Sequence, residues 1–318
     1  MTQRLHARVG TIRQLELLLA VFEKGSIKLA SEHLHLTQPT VSMQLKKLAD
    51  NLGFSLYQSV GRKLIFTEAG MELVSAARDV LNRFATLESR IAELKGVKAG
   101  TLRLAVVTTA KYFIPHLLGP FCQRYPAVDV RLFVGNRGEI IDRLIAGEDD
   151  FCVFSHLPEK VDLHASEFLA NPLVAITPAN HLLARQKSCS LEDLMKETFI
   201  ERESGSGTRH AIEAFFKEQG VSPRRRMTIA TNEAIKHAVM AGLGVSIVSE
   251  YTLALGSREG LHQLTIPELP IQTHWSFARL RKKENSPVAQ VFIDYVNAEG
   301  RAGLMDKLQG DTIIQDLE

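Results

Sequence analysis

Apolar positions along this chain recur with three different periods, in three successive blocks. From Thr11 to Phe66 the step is helical and the runs are short. Thr11-Ile-Arg-Gln14 is a capping-box pattern, and Leu15, Leu18, Leu19 and Phe22 follow on one face of the helix it opens. Ser26–Gly53 (SIKLASEHLHLTQPTVSMQLKKLADNLG) predicts two short helices joined by a tight turn. The first is expected from Ser26, whose hydroxyl can accept a backbone N–H, to about Leu34, with Ala30 small enough to let the helices approach. His35-Leu36 makes the turn. Thr37 caps the second helix, and Pro39 is tolerated in its first turn, where the backbone N–H has no intrahelical partner. Val41, Leu45, Leu48 and Leu52 keep the helical period and face inward. Ser55–Thr67 (SLYQSVGRKLIFT) reads as a β-hairpin with Gly61 at its tip.

The second block is one long helix, expected from an N-cap at Thr67 to about Lys95. Leu73, Ala77, Val80, Phe84, Leu87, Ile91 and Leu94 step alternately by four and three, a heptad seam that favours pairing with a second copy of the same helix. Gly96-Val-Lys-Ala-Gly100 reads as a hinge. In the third block short apolar runs alternate with helical patterns. Strands are expected at Thr101–Val107, Val128–Val134, Phe151–Phe154, near Leu173, at Phe199-Ile200, Val245–Val248 and Trp275–Leu280. Helices are expected at Ile114–Arg124, Glu139–Ala146, Leu191–Met195, Thr208–Glu218, Glu233–Ala241 and Pro287–Ala298. This alternation predicts parallel sheets covered by helices, in two sets joined by crossing segments near Glu167–Leu169 and Pro267–Pro270, with a cleft between them. The fold class is therefore α/β: an N-terminal winged helix-turn-helix over 1–66, a dimerising linker helix over 67–98, a two-subdomain α/β effector domain over 99–300 and a tail over 301–318.

Chemistry attaches to this frame at two places. The outer face of the second short helix carries Gln38, Pro39, Thr40, Ser42, Met43, Gln44, Lys46 and Lys47. Amides and hydroxyls suit base edges and lysines suit phosphates, which is the distribution a DNA-recognition helix needs. Arg62 and Lys63 at the hairpin tip are placed to meet the phosphate backbone. In the third block, Thr108-Thr109, Ser204-Gly-Ser-Gly-Thr208 and Thr231-Asn232 each lie just past a strand or just before a helix. That is where open α/β sheets bind ligands and where helix N-termini favour anions. Asn136, Arg202, Ser206 and Arg209 belong to the same candidate set, with Lys111 and Arg137 able to add charge. Helix capping is the competing role for each loop taken alone.

Composition changes this picture little. The chain has 318 residues, 45% hydrophobic and 23% charged, as in ordinary globular proteins. Net charge is only +2, but residues 1–97 hold 13 Lys and Arg against 9 Asp and Glu, so the positive excess sits on the expected DNA module. No apolar run is long enough for a membrane span and no signal-peptide core opens the chain, which predicts a cytoplasmic protein. Cys122, Cys152 and Cys189 are scattered, as free thiols in a reducing compartment would be.

The strings IRQLELLLAVFEKGSIKLASEHLHLTQPTVSMQLKKL and GRKLIFTEAG resemble the LysR-type transcriptional regulators, and the resemblance extends over roughly residues 11–298. Two departures stand out. The family often has Arg where this chain has Met43, and often has Leu-Phe-x-Arg where this chain has Leu56-Tyr57-Gln58-Ser59. The resemblance implies a sensor domain similar to periplasmic binding proteins and a dimerising linker helix. It also implies a homodimer assembled into a homotetramer, double-stranded promoter DNA as partner, and RNA polymerase as a candidate further one. Within the family, TTAKYFIPHLL, VGNRGEIIDRL, FIERESGSGTR and NEAIKHAVMAGLGVSIVSEYTL are similar to the RuBisCO-operon (CbbR-like) activators, which respond to phosphorylated or carboxylated metabolites. The expected function is a DNA-binding regulator modulated by a small anionic, non-covalently bound effector, with no other cofactor and no metal, controlling carbon-fixation genes. The alternatives are a regulator of an unrelated metabolic operon and a constitutive DNA-binding protein. An enzyme is disfavoured: there is no GxSxG around Ser206, no GxxxxGK[ST], and no His/Cys set with metal spacing.

Overall fold

The computed structural model describes residues 10–61, 63–94 and 98–307, with the side chains of 63, 93 and 225 outside that description. The chain forms two compact units, one up to Lys95 and one from Gly96.

In the first unit α1 (Ile12–Lys24), α2 (Ile27–His33) and α3 (Gln38–Leu52) precede a hairpin of β1 (Tyr57–Val60) and β2 (Lys63–Phe66), and α4 (Glu68–Leu94) follows. The α1 capping box is present, with the Thr11 hydroxyl accepting from Gln14 N while the Gln14 side chain accepts from Thr11 N. Thr37 caps α3 through its hydroxyl, but the Ser26 hydroxyl makes no cap bond, contrary to expectation. His35 takes φ +54° in the turn between α2 and α3. Val41, Leu45 and Leu48 are buried against Leu15, Leu18 and Val21 of α1, so the period read from the sequence sets which side of α3 faces out. Val60 pairs with Lys63 in the antiparallel hairpin, and Gly61 follows Val60 at φ +62°.

The start of α4 is locked to this core. The Thr67 hydroxyl accepts from Gly70 N and donates to Ser55 O, and a Cβ on Gly70 would lie 1.9 Å from Leu56 O. Leu73 (9% exposed) and Ala77 (0%) are packed into the same core. The expected seam therefore divides: its first two members serve the fold of their own unit. Val80, Phe84, Leu87, Ile91 and Leu94 remain exposed.

The second unit has strands β3 (Gly100–Val107), β4 (Val128–Gly135), β5 (Phe151–Phe154), β6 (Leu163–Pro178), β7 (Thr198–Glu201), β8 (Arg225–Thr228), β9 (Val245–Ser249), β10 (Leu261–Gln263) and β11 (Ile271–Leu280). Their order is β4-β3-β5-β11-β6-β9-β7-β8, with β10 on β6. Pairs β3/β4, β3/β5, β7/β8 and β7/β9 are parallel, as the strand–helix alternation predicts. The pairs made by β6 and β11 are antiparallel. These two long strands run from one half of the sheet to the other. The crossing near 167–169 is thus the interior of β6, where β11 shows a register shift between Trp275 and Ser276. Gly100 is the first residue of β3 rather than part of a hinge.

Helices α5 (Ile114–Arg124), α6 (Arg137–Ala146) and α11 (Pro287–Tyr295) cover the β3–β5 lobe. Helices α7 (Leu191–Lys196), α8 (Gly207–Glu218), α9 (Asn232–Met240) and α10 (Tyr251–Ala254) accompany the other strands. Successive strand residues point to opposite faces, and both faces are apolar. Leu104 and Val106 join one core and Ala105 another; Leu173 and Ala175 join a third and Val174 and Ile176 a fourth. The chain continues helically through 301–307, and Leu304 is buried in the first lobe's core, so the start of the expected tail is part of the fold.

Candidate functional site

Two lobes, each with its own sheet half and its own cores, place their strand ends at a common cleft. From the first lobe come the 3₁₀ turn Thr108–Tyr112 after β3 and Ser155-His156 after β5. From the second come Arg202–Ser206 after β7 and the start of α9. The cleft is closed by hydrogen bonds centred on Arg202, which is 4% exposed. Its Nη1 donates to Asn232 Oδ1 at 2.9 Å and to Thr109 Oγ1 at 3.4 Å, and its Nη2 donates to Thr108 Oγ1 at 3.2 Å. Asn232 Nδ2 also donates to Thr109 Oγ1, at 2.9 Å. Glu203 takes the other edge of the guanidinium in a bidentate pair, at 2.7 and 2.8 Å. Beside this group the Tyr112 hydroxyl donates to Glu233 Oε1 at 2.5 Å, and Lys111 Nζ lies 2.9 Å from the same oxygen. Burial and the Glu233 carboxylate push the Tyr112 hydroxyl far above its ordinary range. Glu233, despite its own burial, is held below the usual carboxylate value by Tyr112 and Lys111.

Next to Arg202 is a chamber of about 20 Å³, room for about one water molecule. Thr108, Thr109, Arg137, Ser155, His156, Ser206 and Thr208 are among its lining. The N–H groups of Gly207, Thr208 and Arg209 in the first turn of α8 have no intrahelical acceptor. The hydroxyls of Ser155, Ser206 and Thr208 have no hydrogen-bond partner among the described residues. The lobes approach closely at Gly207, where a Cβ would lie 2.7 Å from Ser155 Oγ across the cleft and would make that hydroxyl turn aside. The chamber thus presents N–H and hydroxyl donors, and the one carboxylate on its lining, Glu203, is paired with Arg202. The chamber opens past Arg137, His156 and Ser206 into a wider cavity of about 630 Å³, also lined by Lys160, Ser204, Arg209 and His210.

Of the predicted effector residues, Thr108, Thr109, Arg202, Ser206, Thr208 and Asn232 meet at this chamber or in the hydrogen-bond group beside it. Ser204 is exposed and lines only the wider cavity. Arg209 is turned to Glu201 (3.2 Å) and Glu213 (2.8 Å). Asn136 and Thr231 do not line the chamber: each side-chain oxygen accepts a backbone N–H at the start of its helix, the capping role that competes for such residues. Ser155, His156 and His210 were not among the residues expected from sequence. A Ser-His pair at the end of an apolar run is the only local signal that marks the first two.

On the DNA module, Gln38 and Pro39 at the start of α3 are exposed, as are Lys46 and Lys47, and Met43 is 62% exposed; Thr40 and Ser42 are half-buried. Gln14 of α1 donates to Gln44 O (3.3 Å) and Gln44 Oε1 (3.1 Å), which fixes Gln44 against α1. Arg62 lies outside the described residues, and Lys63 is described in its backbone only.

Comparison with known proteins agrees with both halves. Residues 12–71 match the profile "Bacterial regulatory helix-turn-helix protein, lysR family", and residues 95–301 match "LysR substrate binding domain". The chain is 44% identical to the HTH-type transcriptional activator CmpR of Synechocystis sp. PCC 6803 over 294 residues, 92% of this chain and 97% of that one. It is 39% identical to the RuBisCO operon transcriptional regulator of Allochromatium vinosum, over 91% of this chain and 96% of that one. Among solved structures, the CcmR regulatory domain of Synechocystis PCC6803 in complex with 2-PG aligns with a TM-score of 0.59 at 44% identity, covering 62% of this chain and 96% of that one. Full-length CbnR complexed with its target DNA aligns with a TM-score of 0.66 at 24% identity, over 91% of this chain and 99% of that one, a likeness of fold.

Proposed function

The chain belongs to the LysR family of transcriptional regulators, and from that premise we propose that it controls carbon-fixation genes in response to a small phosphorylated or carboxylated metabolite bound in the cleft of its second unit. The donor-rich chamber at the start of α8 carries this reading. Helix N–H groups, free hydroxyls and the Arg137 guanidinium offer an anion several partners, and an apolar or cationic ligand would leave them unmatched. The 2-PG complex of a 44% identical regulatory domain supports the same ligand class.

As it stands the chamber admits a water molecule and not a phosphoryl group. Binding therefore requires the Arg202 group to give way or the lobes to part, and a ligand that prefers the altered arrangement shifts the population toward it. On the DNA side, Gln38, Pro39, Thr40, Ser42, Met43 and Lys46 would face the major groove, with Arg62 and Lys63 on the phosphate backbone. The exposed part of the α4 seam would pair two chains and so two recognition helices, and a homotetramer would form through further sensor contacts. RNA polymerase is the further partner that activation would require.

The test is a thermal-unfolding series on the full chain with 2-phosphoglycolate, inorganic phosphate and glycolate. A ligand that binds only the native state raises the midpoint. Saturating 2-phosphoglycolate is expected to raise the midpoint of the second unit by about 5–10 °C, since binding at 100 times Kd contributes about 2.7 kcal/mol. The same ligand should change the DNase footprint on the promoter of the adjacent operon. An unchanged midpoint and an unchanged footprint together would reject the effector reading.

A further inference from the structure

His156 and His210 lie face to face at the mouth of the cleft. Their ring centroids are 3.9 Å apart and the planes are inclined by 30°. His156 follows β5 in the first lobe, and His210 is in the first turn of α8 in the second. Both line the wide cavity, and His156 also lines the inner chamber. Neither ring takes part in the Arg202 hydrogen-bond group.

Two neutral imidazoles in van der Waals contact take up one further proton more readily than two, because two like charges about 4 Å apart repel. The charged groups around the pair come from every neighbouring element. The Arg137 guanidinium of α6 donates to His156 O. Glu159 and Lys160 come from the loop after β5, and Arg209 and Glu213 from α8 itself. Arg202 and Glu203, after β7, neutralise each other. Burial, His210 and Arg137 hold the His156 imidazole below its ordinary value, with Glu159 acting in the opposite direction. The ring next to the chamber is therefore neutral near pH 7. An anion entering the cleft adds a negative charge beside His156, which favours its imidazolium form.

We propose that His156 and His210 are the proton-linked part of the anion site: entry of an anionic ligand draws one proton from solvent onto the pair, and the imidazolium so formed faces the acidic group that the ligand presents to the wider cavity. The inference rests on the effector reading above. No bond to the ligand forms; a neutral imidazole and a solvent proton give the imidazolium. Because binding takes up a proton, affinity must rise as pH falls. The window is neutral to mildly alkaline pH, where a phosphate ester is already ionised and the free His156 is neutral.

The experiment is titration calorimetry of the full chain with 2-phosphoglycolate, in buffers of different ionisation enthalpy, at pH 7.0 and 8.5. The expected uptake at pH 7.0 is about half a proton or more per site, with Kd weakening about fivefold to tenfold at pH 8.5. The H156Q/H210Q variant should bind without proton uptake, with a pH-independent Kd close to the parent's value at pH 8.5. H210Q alters only an exposed side chain and serves if the double variant does not fold; its uptake should fall below the parent's. Binding by the parent without proton uptake, or equal uptake in parent and variants, overturns the inference and leaves the effector reading standing. No binding by the parent up to millimolar ligand removes the effector reading, and this inference with it.

Discussion

Arg202 spends all five of its N–H donors. Two go to Glu203, one to Asn232, and one each to the hydroxyls of Thr108 and Thr109 on the opposite lobe. Its partners are drawn from both lobes, so the residue ties the two sides of the cleft together. An arriving anion must compete for those same donors. Replacing Arg202 by Gln keeps one amide donor group and deletes the charge, leaving Glu203 without its bidentate partner and Asn232 short of a donor. The expected cost is about 1–3 kcal/mol, since Glu203 is partly solvated. It should appear as a lower urea midpoint for the second unit, together with loss of the response to 2-phosphoglycolate while promoter binding persists. A variant with parental stability and parental response would show that the Arg202 bonds are incidental to closure.

At the scale of elements, α4 serves two purposes along one stripe. Leu73 and Ala77 complete the core of the DNA module, and from Val80 onward the same stripe is left uncovered. A helix with Phe84, Leu87 and Ile91 exposed in heptad register is incomplete alone, and a second copy would bury the row. Leu87, 50% exposed in the single chain, makes the probe: Leu87→Glu leaves the monomer's core untouched and places a charge in the paired seam. Sedimentation should then show dissociation at micromolar protein, and promoter affinity should fall by about 10²-fold or more through lost bivalency. An unchanged sedimentation coefficient would count against pairing through this helix. The four–three alternation is fully legible in the sequence; the division at Val80 is not. That division depends on how close Gly70 brings α4 to Leu56, a tertiary contact no period encodes. The same distinction separates Thr231 and Asn136 from Asn232. All three are small polar residues at helix starts, and only the three-dimensional approach of the lobes decides which one faces the cleft and which ones cap. β8 and β10 escaped sequence reading because each is short and carries charged or polar residues at a sheet margin, where neither face need be apolar. His156 and His210 are 54 positions apart, and no local pattern could have paired them.

At the scale of the molecule, the second unit is two lobes joined by the uninterrupted strands β6 and β11, which makes any relative movement a bending of those strands. Their shared register shifts once, between Trp275 and Ser276. Trp275 is the only tryptophan in the chain and is fully buried. Its indole packs at 5.1 Å against Phe113, the residue that immediately follows the Thr108–Tyr112 turn at the cleft. The protein consequently contains its own optical gauge. Excited at 295 nm, the ligand-free chain should emit as a single shielded indole, blue of free tryptophan and poorly quenched by acrylamide. Occupation of the cleft, by displacing the turn that leads into Phe113, should change that emission with the same concentration dependence that calorimetry measures, whereas a change in emission on adding DNA alone would place the strain at the bend of β11 rather than at the ligand.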